Sequence, residues 1–222
     1  SADFPQNVPL LKSVSIAAMM GVGLLTYVYV RTHRQLTREM AGCVAVATAI
    51  VPAFVFLATS TLMSECVFTL AQLAAVVLIH RSVESPDARR RLLFAMAAAG
   101  IAAAAVLIRS AGAGLVVAVM LWLLKERRWK TAALFAAVVV LCLIPWITYA
   151  RVHAPTAQQR AAHGGAVVYD YLDQLSMRWA GAPGQGRITL GDIPARIRTN
   201  LTDVFARDML GVFVPVFLRG PS

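Results

Sequence analysis

Charge is what this sequence has least of: Asp, Glu, Lys and Arg make up 14% of its 222 residues while 59% are hydrophobic. A soluble domain carries roughly a quarter charged residues. The apolar residues come in blocks nearly free of charge, which excludes one large aqueous core and describes a polytopic membrane protein. Acidic residues are scarcer still, 11 against 21 Lys and Arg, for a net charge of +10. In a soluble protein that excess would point to nucleic acid, but here about half of the cations are confined to short loops between apolar blocks, and no nucleic-acid partner is expected. Cys43, Cys66 and Cys142 lie within or at the edges of apolar blocks, far apart. They have no metal-ligand spacing and do not report on redox compartment. The opening SADFPQNVPLLK lacks the basic region and cleavage site of a signal peptide. Because the chain opens on Ser1 and closes on ten apolar residues, Met209 to Leu218, about half of what crosses a bilayer, both ends read as cuts through a longer protein.

Long apolar runs are what is present. Ser13 to Val30 has no charge, and Arg31, Arg34 and Arg38 follow it. From Met40 to Ile79 forty residues contain one charge, Glu65, and as a single helix they would reach about 60 Å, twice the hydrocarbon thickness. They must fold back, and the polar cluster Thr59, Ser60, Thr61, Ser64 and Glu65 is the place for the bend. Leu92 to Leu124 is interrupted only by Arg109, where RSAGAG supplies a turn. Thr131 to Ala150 contains Pro145, which is expected to kink it. The reading is all-α: a bundle over residues 1–150 with about six spans, at about 11–30, 40–58, 62–80, 92–108, 111–124 and 131–150, and 205–222 beginning a seventh.

Three alternate loops, 31–39, 80–91 and 125–130, carry eleven of the 21 cations. Short cationic loops are retained in the cytoplasm. Parity then puts the Glu65 and Arg109 turns, Ser1 and the segment 151–204 outside, in the periplasm of a bacterial inner (plasma) membrane. In that segment Val167 to Ala180 and about Gly191 to Leu210 have apolar residues at helical spacing, as short amphipathic helices do. Trp122, Trp129, Trp146, Tyr149 and Tyr27 lie near span ends, as interfacial aromatics do.

Glu65 is the leading candidate for chemistry, since a carboxylate beside the membrane is costly and is usually paired or functional. The plainer account places it in a first helical turn, favoured by the helix dipole and capped with help from Thr61 or Ser64. Arg109, at the next outer turn, is a phosphate or carboxylate clamp, or else an arginine snorkelling to headgroups. Lys12, near its own span end, is the third candidate contact for a lipid phosphate. Asn200, Leu201 and Thr202 form an N-x-T triplet that only a eukaryotic host would glycosylate. His153 and His163 are poorly spaced for a metal, and AGAPGQGR, 180–187, lacks the strand and Lys-Ser or Lys-Thr pair of a phosphate loop. No metal site is assigned and no cofactor is indicated, a divalent ion being left open.

A span opening LLKSVS (Leu10 to Ser15), a basic loop, a span with Pro52 and Phe54, and then STLMSECVF (Ser60 to Phe68) resembles the integral-membrane glycosyltransferases of the protein O-mannosyltransferase and aminoarabinose-transferase type, of the GT-C fold. Ile108 to Arg151 is similar too: an arginine-bearing turn, a W-L-L-basic loop and an apolar helix with a Pro-Trp pair. The resemblance covers about residues 8 to 152. It implies transfer of a sugar, with inversion, from a polyprenyl-phosphate donor to a protein, lipid or glycan acceptor on the outer face, among membrane lipids. Glu65 matches the acid of the family's S-E motif near the active-site cavity and Arg109 the basic residue after the following span, while Cys66 stands where the family commonly has Pro. The family's catalytic aspartate would lie upstream of Ser1, Asp3 not being in a matching context, so this chain by itself is expected to be inactive. Two other classes stay open: a transporter or flippase for a lipid-linked or anionic substrate, and a non-enzymatic membrane scaffold.

Overall fold

The computed structural model describes residues 8–33, 36–59, 64–153 and 186–205, and among them the regular elements are all helices. In chain order they are α1 (Val8–His33), α2 (Arg38–Ala49), α3 (Pro52–Thr59), α4 (Glu65–Glu84), α5 (Ala88–Ile108), α6 (Gly112–Lys125), α7 (Trp129–Val152) and α8 (Asp192–Asp203). The chain divides into two units, the described residues up to Pro145 belonging to one and those from Trp146 onward to the other.

Among the described residues four helices are long and apolar enough to cross a membrane: Val8–Thr32, Glu65–Glu84, Ala88–Ile108 and Trp129–Val152. Much of their apolar surface faces outward, including Met20, Leu24, Leu93, Leu107, Val140 and Leu141. Such faces are stable only against an apolar solvent, so the chain has the character of a membrane protein. α6, at 14 residues, is about 21 Å long and shorter than the hydrocarbon layer.

The apolar stretch 40–58, read above as one span, is two helices instead. α2 is capped by Ile50, whose N–H bonds the Val46 carbonyl, and α3 begins at Pro52. Proline has no N–H for the preceding turn and disfavours helical backbone in the residue before it, so the break falls there. Pro145 acts differently: α7 runs through it from Trp129 to Val152, the loss of one backbone bond being tolerated within an otherwise continuous apolar helix.

The first unit is organised around α4 and α5, an antiparallel hairpin closed by Ser85–Asp87. Asp87 caps α5 by accepting from the Arg89 N–H. The buried Ser82 hydroxyl donates to the Arg91 carbonyl, and the Arg91 guanidinium donates to the Ser85 and Pro86 carbonyls, satisfying acceptors at the end of α4. Ala95, Ala98, Ala99, Ala102, Ala103 and Ala105 are buried along α5. Small side chains let neighbouring helices approach closely, and Phe135 of α7, Leu123 of α6 and Ile79 of α4 fill the space that remains. α1 runs parallel to α4: Gly21 faces Leu70, and Tyr29 meets His80 one helical stretch further on. Ala18 and Met19 of α1, Ala58 of α3 and Cys66 of α4 form a second cluster.

α6 packs tightly at its start. A Cβ on Gly112 would lie 2.6 Å from the Ala105 carbonyl carbon and from the Val106 nitrogen, so only glycine admits the turn at this separation. α6 ends differently, with Arg127 in left-handed backbone (φ 55°) and the N–H groups of Arg127 and Arg128 bonded to the carbonyls of Leu124 and Leu123. That is a Schellman arrangement with arginine where glycine is usual.

In the second unit α8 is opened by Asp192, whose carboxylate accepts from the backbone N–H and the hydroxyl of Thr189. Ile193, Ile197, Leu201, Val204 and Phe205, the apolar stripe expected from the sequence, are exposed. The other expected amphipathic helix, 167–180, the run 209–218 and His163 lie outside the described residues.

Candidate functional site

The end of the bundle where α4 begins and α5 finishes brings Glu65 and Arg109 together. α4 and α5 have 20 and 21 residues and are joined by a three-residue turn, so two antiparallel rods of equal length finish level. Glu65 is the first residue of α4, and Arg109 is the C-cap of α5, in extended backbone with its N–H on the Ala105 carbonyl. Arg109 Nη1 donates to Glu65 Oε1 in an ion pair. Each charge also complements its own helix, the carboxylate at an N-terminus and the guanidinium at a C-terminus.

The pair is neither sealed nor fully wet, the side chains of Arg109 and Glu65 being 40% and 27% exposed. Among the described residues Glu65 Oε2 is buried without a hydrogen-bond partner, so the carboxylate is held at one oxygen. Arg109 has five N–H donors in a planar fork, more than a carboxylate bound at one oxygen uses. Ser64, the N-cap residue, makes no side-chain cap bond, and Thr61 lies outside the described residues. The plainer account of Glu65 thus keeps its helix-dipole part, while the expected help from Ser64 is not provided. The neighbouring Cys66 is buried against α1 and α3, which anchors this end of α4.

Lys12 is on α1 and half-buried, and among the described residues it forms no ion pair or hydrogen bond with either member of the pair. Because α1 and α4 are parallel and Gly21 is level with Leu70, Lys12 lies at the same end of the bundle, roughly one helical turn beyond Glu65 along the axis. The turn that carries Arg109 is braced by Gly112 N–H to the Arg109 carbonyl and Ala113 N–H to the Ser110 carbonyl.

The opposite end of the bundle is cationic by connectivity: Arg31 closes α1, Arg81 lies in the last turn of α4, Arg89, Arg90 and Arg91 open α5, and Lys125, Arg127, Arg128 and Lys130 surround the α6–α7 turn. Glu39, in the first turn of α2 beside Thr37, is held below the usual carboxylate range, first by its own backbone N–H and then by the Thr37 hydroxyl.

Two aromatic groupings form only in the fold. His80 stacks on Trp122 (centroids 4.7 Å, 10° between planes) and meets Tyr29 edge-on at 5.5 Å, tying the ends of α4, α6 and α1 together. No spacing rule connects those three positions. Trp146, Tyr149 and His153 stack in series along α7, with His153 Nδ1 2.9 Å from the Tyr149 carbonyl oxygen. Their spacing of three and four residues is visible in the sequence, where Trp146 and Tyr149 read as interfacial aromatics and His153 as a poorly spaced metal candidate. Among the described residues no three His, Cys, Asp or Glu side chains group to hold a metal. Comparison of the chain with protein families, with curated proteins and with solved structures finds no match.

Proposed function

We propose that this chain is part of a membrane glycosyltransferase that transfers a sugar from a polyprenyl-phosphate donor to an acceptor on the non-cytoplasmic face. The observation that carries the reading is the Glu65–Arg109 pair at the bundle end opposite the cationic loops. With those loops in the cytoplasm, the pair lies at the outer headgroup level, where a lipid phosphate lies. The six-span topology goes with this reading, α2 and α3 making one broken span and α6 a short one, and so does the assignment of 151–204 to the periplasm.

In the reaction an acceptor hydroxyl attacks the anomeric carbon as the bond from that carbon to the phosphate oxygen breaks, and the configuration inverts. The electron pair leaves with the lipid phosphate, and Arg109, with Lys12 beyond it, lowers the barrier by neutralising that charge. The acceptor proton goes to a carboxylate base, the part that the catalytic aspartate plays in the family the chain resembles. The transporter reading calls for charges within broken helices near midspan, whereas Glu65 opens α4 and Arg109 follows the last residue of α5.

The test uses the full-length protein in liposomes with a radiolabelled polyprenyl-phosphate sugar. Sugar transfer that falls at least tenfold in Arg109→Gln, with protein level and melting temperature retained, supports the proposal. Movement of the label across the bilayer without transfer would establish a transporter instead, and full function after Glu65→Gln and Arg109→Gln would leave a scaffold.

A further inference from the structure

The guanidinium that the proposed reading offers to a lipid phosphate is already held by a carboxylate of the same chain. That carboxylate is held through one oxygen: Arg109 Nη1 reaches Glu65 Oε1, and among the described residues Oε2 is buried with no partner. A two-oxygen, fork-to-fork pairing would use both acceptors. A phosphate ester presents two or three charged or polar oxygens to the same planar donor set and can take it bidentately. The pair is 40% and 27% exposed, so an anion arriving at this end of the bundle can reach it. Exchange is also cheap for Glu65, which leaves one hydrogen bond behind and brings a buried, unsatisfied oxygen to where it can be solvated or can accept from a hydroxyl.

We infer that Glu65 is an exchangeable internal anion on Arg109, displaced when the phosphate of a prenyl lipid binds. This inference rests on the glycosyltransferase reading for the identity of the lipid, and it assigns Glu65 a competing role where a simple electrostatic clamp would give it a supporting one. The sign of one substitution separates the two. If Glu65 competes, Glu65→Gln tightens phosphate binding. If Glu65 only positions Arg109, the same substitution weakens it.

The experiment measures binding of farnesyl phosphate, with farnesol as the uncharged control, to the 222-residue chain in phosphatidylcholine nanodiscs, for wild type, Glu65→Gln, Arg109→Gln and the double variant. Each is first checked for a wild-type gel-filtration profile. Expected is binding of the phosphate but not of the alcohol, a gain of about two- to fivefold in Glu65→Gln, the range appropriate to a half-exposed ion pair, and no gain from Glu65→Gln when Arg109 is already Gln. Should Arg109→Gln not fold, ionic strength makes the same distinction, because the gain from a contact competitor persists at 0.5 M salt while a long-range charge effect is screened away. Wild-type binding with no gain, a loss, or an equal gain in the Arg109→Gln background overturns the exchange and leaves the enzyme reading standing. Absence of phosphate binding in both wild type and Glu65→Gln overturns both.

Discussion

Replacing Gly112 by alanine should destabilise the protein, although glycine to alanine within a helix is ordinarily stabilising. The added Cβ would lie 2.6 Å from the Ala105 carbonyl carbon and the Val106 nitrogen and 2.8 Å from the Ala105 oxygen. Those are backbone atoms of α5 and cannot rotate aside. To reach ordinary contact, at 3.4 Å or more, the start of α6 must lift away from the last turn of α5 by nearly an ångström. Overpacking of this kind costs about 1–3 kcal/mol, and at roughly 2–4 °C per kcal/mol for a chain of this size the melting temperature should fall by about 2–12 °C. Gly100→Ala and Gly114→Ala are the internal controls, since nothing lies within 4 Å of a Cβ at either position. They should be neutral or stabilising by up to about 1 kcal/mol. Melting curves of the three variants in one detergent at one scan rate provide the comparison. A Gly112→Ala protein that melts at or above wild type would refute the claim that α5 and α6 are in backbone contact here. The displacement also has a consequence for the site, because the Gly112 N–H is bonded to the Arg109 carbonyl: the guanidinium should move with the turn and loosen its hold on Glu65.

Arg127→Gly should raise the melting temperature, because a left-handed residue (φ 55°) costs a side-chain-bearing residue about 1 kcal/mol relative to glycine; a melting temperature at or below wild type speaks against it. Glu39 has a lowered folded-state pKa, so its stabilising contribution is complete above the unfolded carboxylate range and is lost as pH falls through the folded value. Glu39→Gln should therefore lower helix content slightly at pH 7 in circular dichroism and make no difference at pH 2, and a pH-independent effect would contradict this. With single cysteines in a background free of Cys43, Cys66 and Cys142, Ser110→Cys should react with an impermeant maleimide from the outside of intact cells and Arg90→Cys only after permeabilisation. Labelling of both from one side would remove the membrane orientation on which the proposed function depends.

Much of the site could be read before any tertiary structure was known, for a reason that is local. The turn at Arg109–Ala111 falls where RSAGAG interrupts an apolar run, and α4 opens at Glu65, within the polar cluster of the previous break. Two helices of equal length joined by a short loop must bring those ends level, so the shared end of Glu65 and Arg109 was already contained in residue counts. Pro52 was visible too, but a proline alone does not say whether a helix restarts at it or runs through it. The chain does the first at Pro52 and the second at Pro145, where the backbone on either side already belongs to one long helix. The His80, Trp122 and Tyr29 grouping was not legible at all, because it depends on how three helices lie side by side.

The sequence by itself determined most of the helices, their turns and the gathering of cationic loops at one end. Each of those follows from bonds four residues apart, from where apolar runs stop, or from where charge is tolerated. Only the tertiary structure decided that Arg109 bonds to Glu65 through one oxygen and leaves the other unsatisfied, that α1 runs beside α4, and that Gly112 rests on the backbone of α5. Helices that are apolar on nearly every side carry no stripe to announce their inner face. Their neighbours are chosen by the fit of small residues against large ones, a property of shapes in contact that no single segment contains.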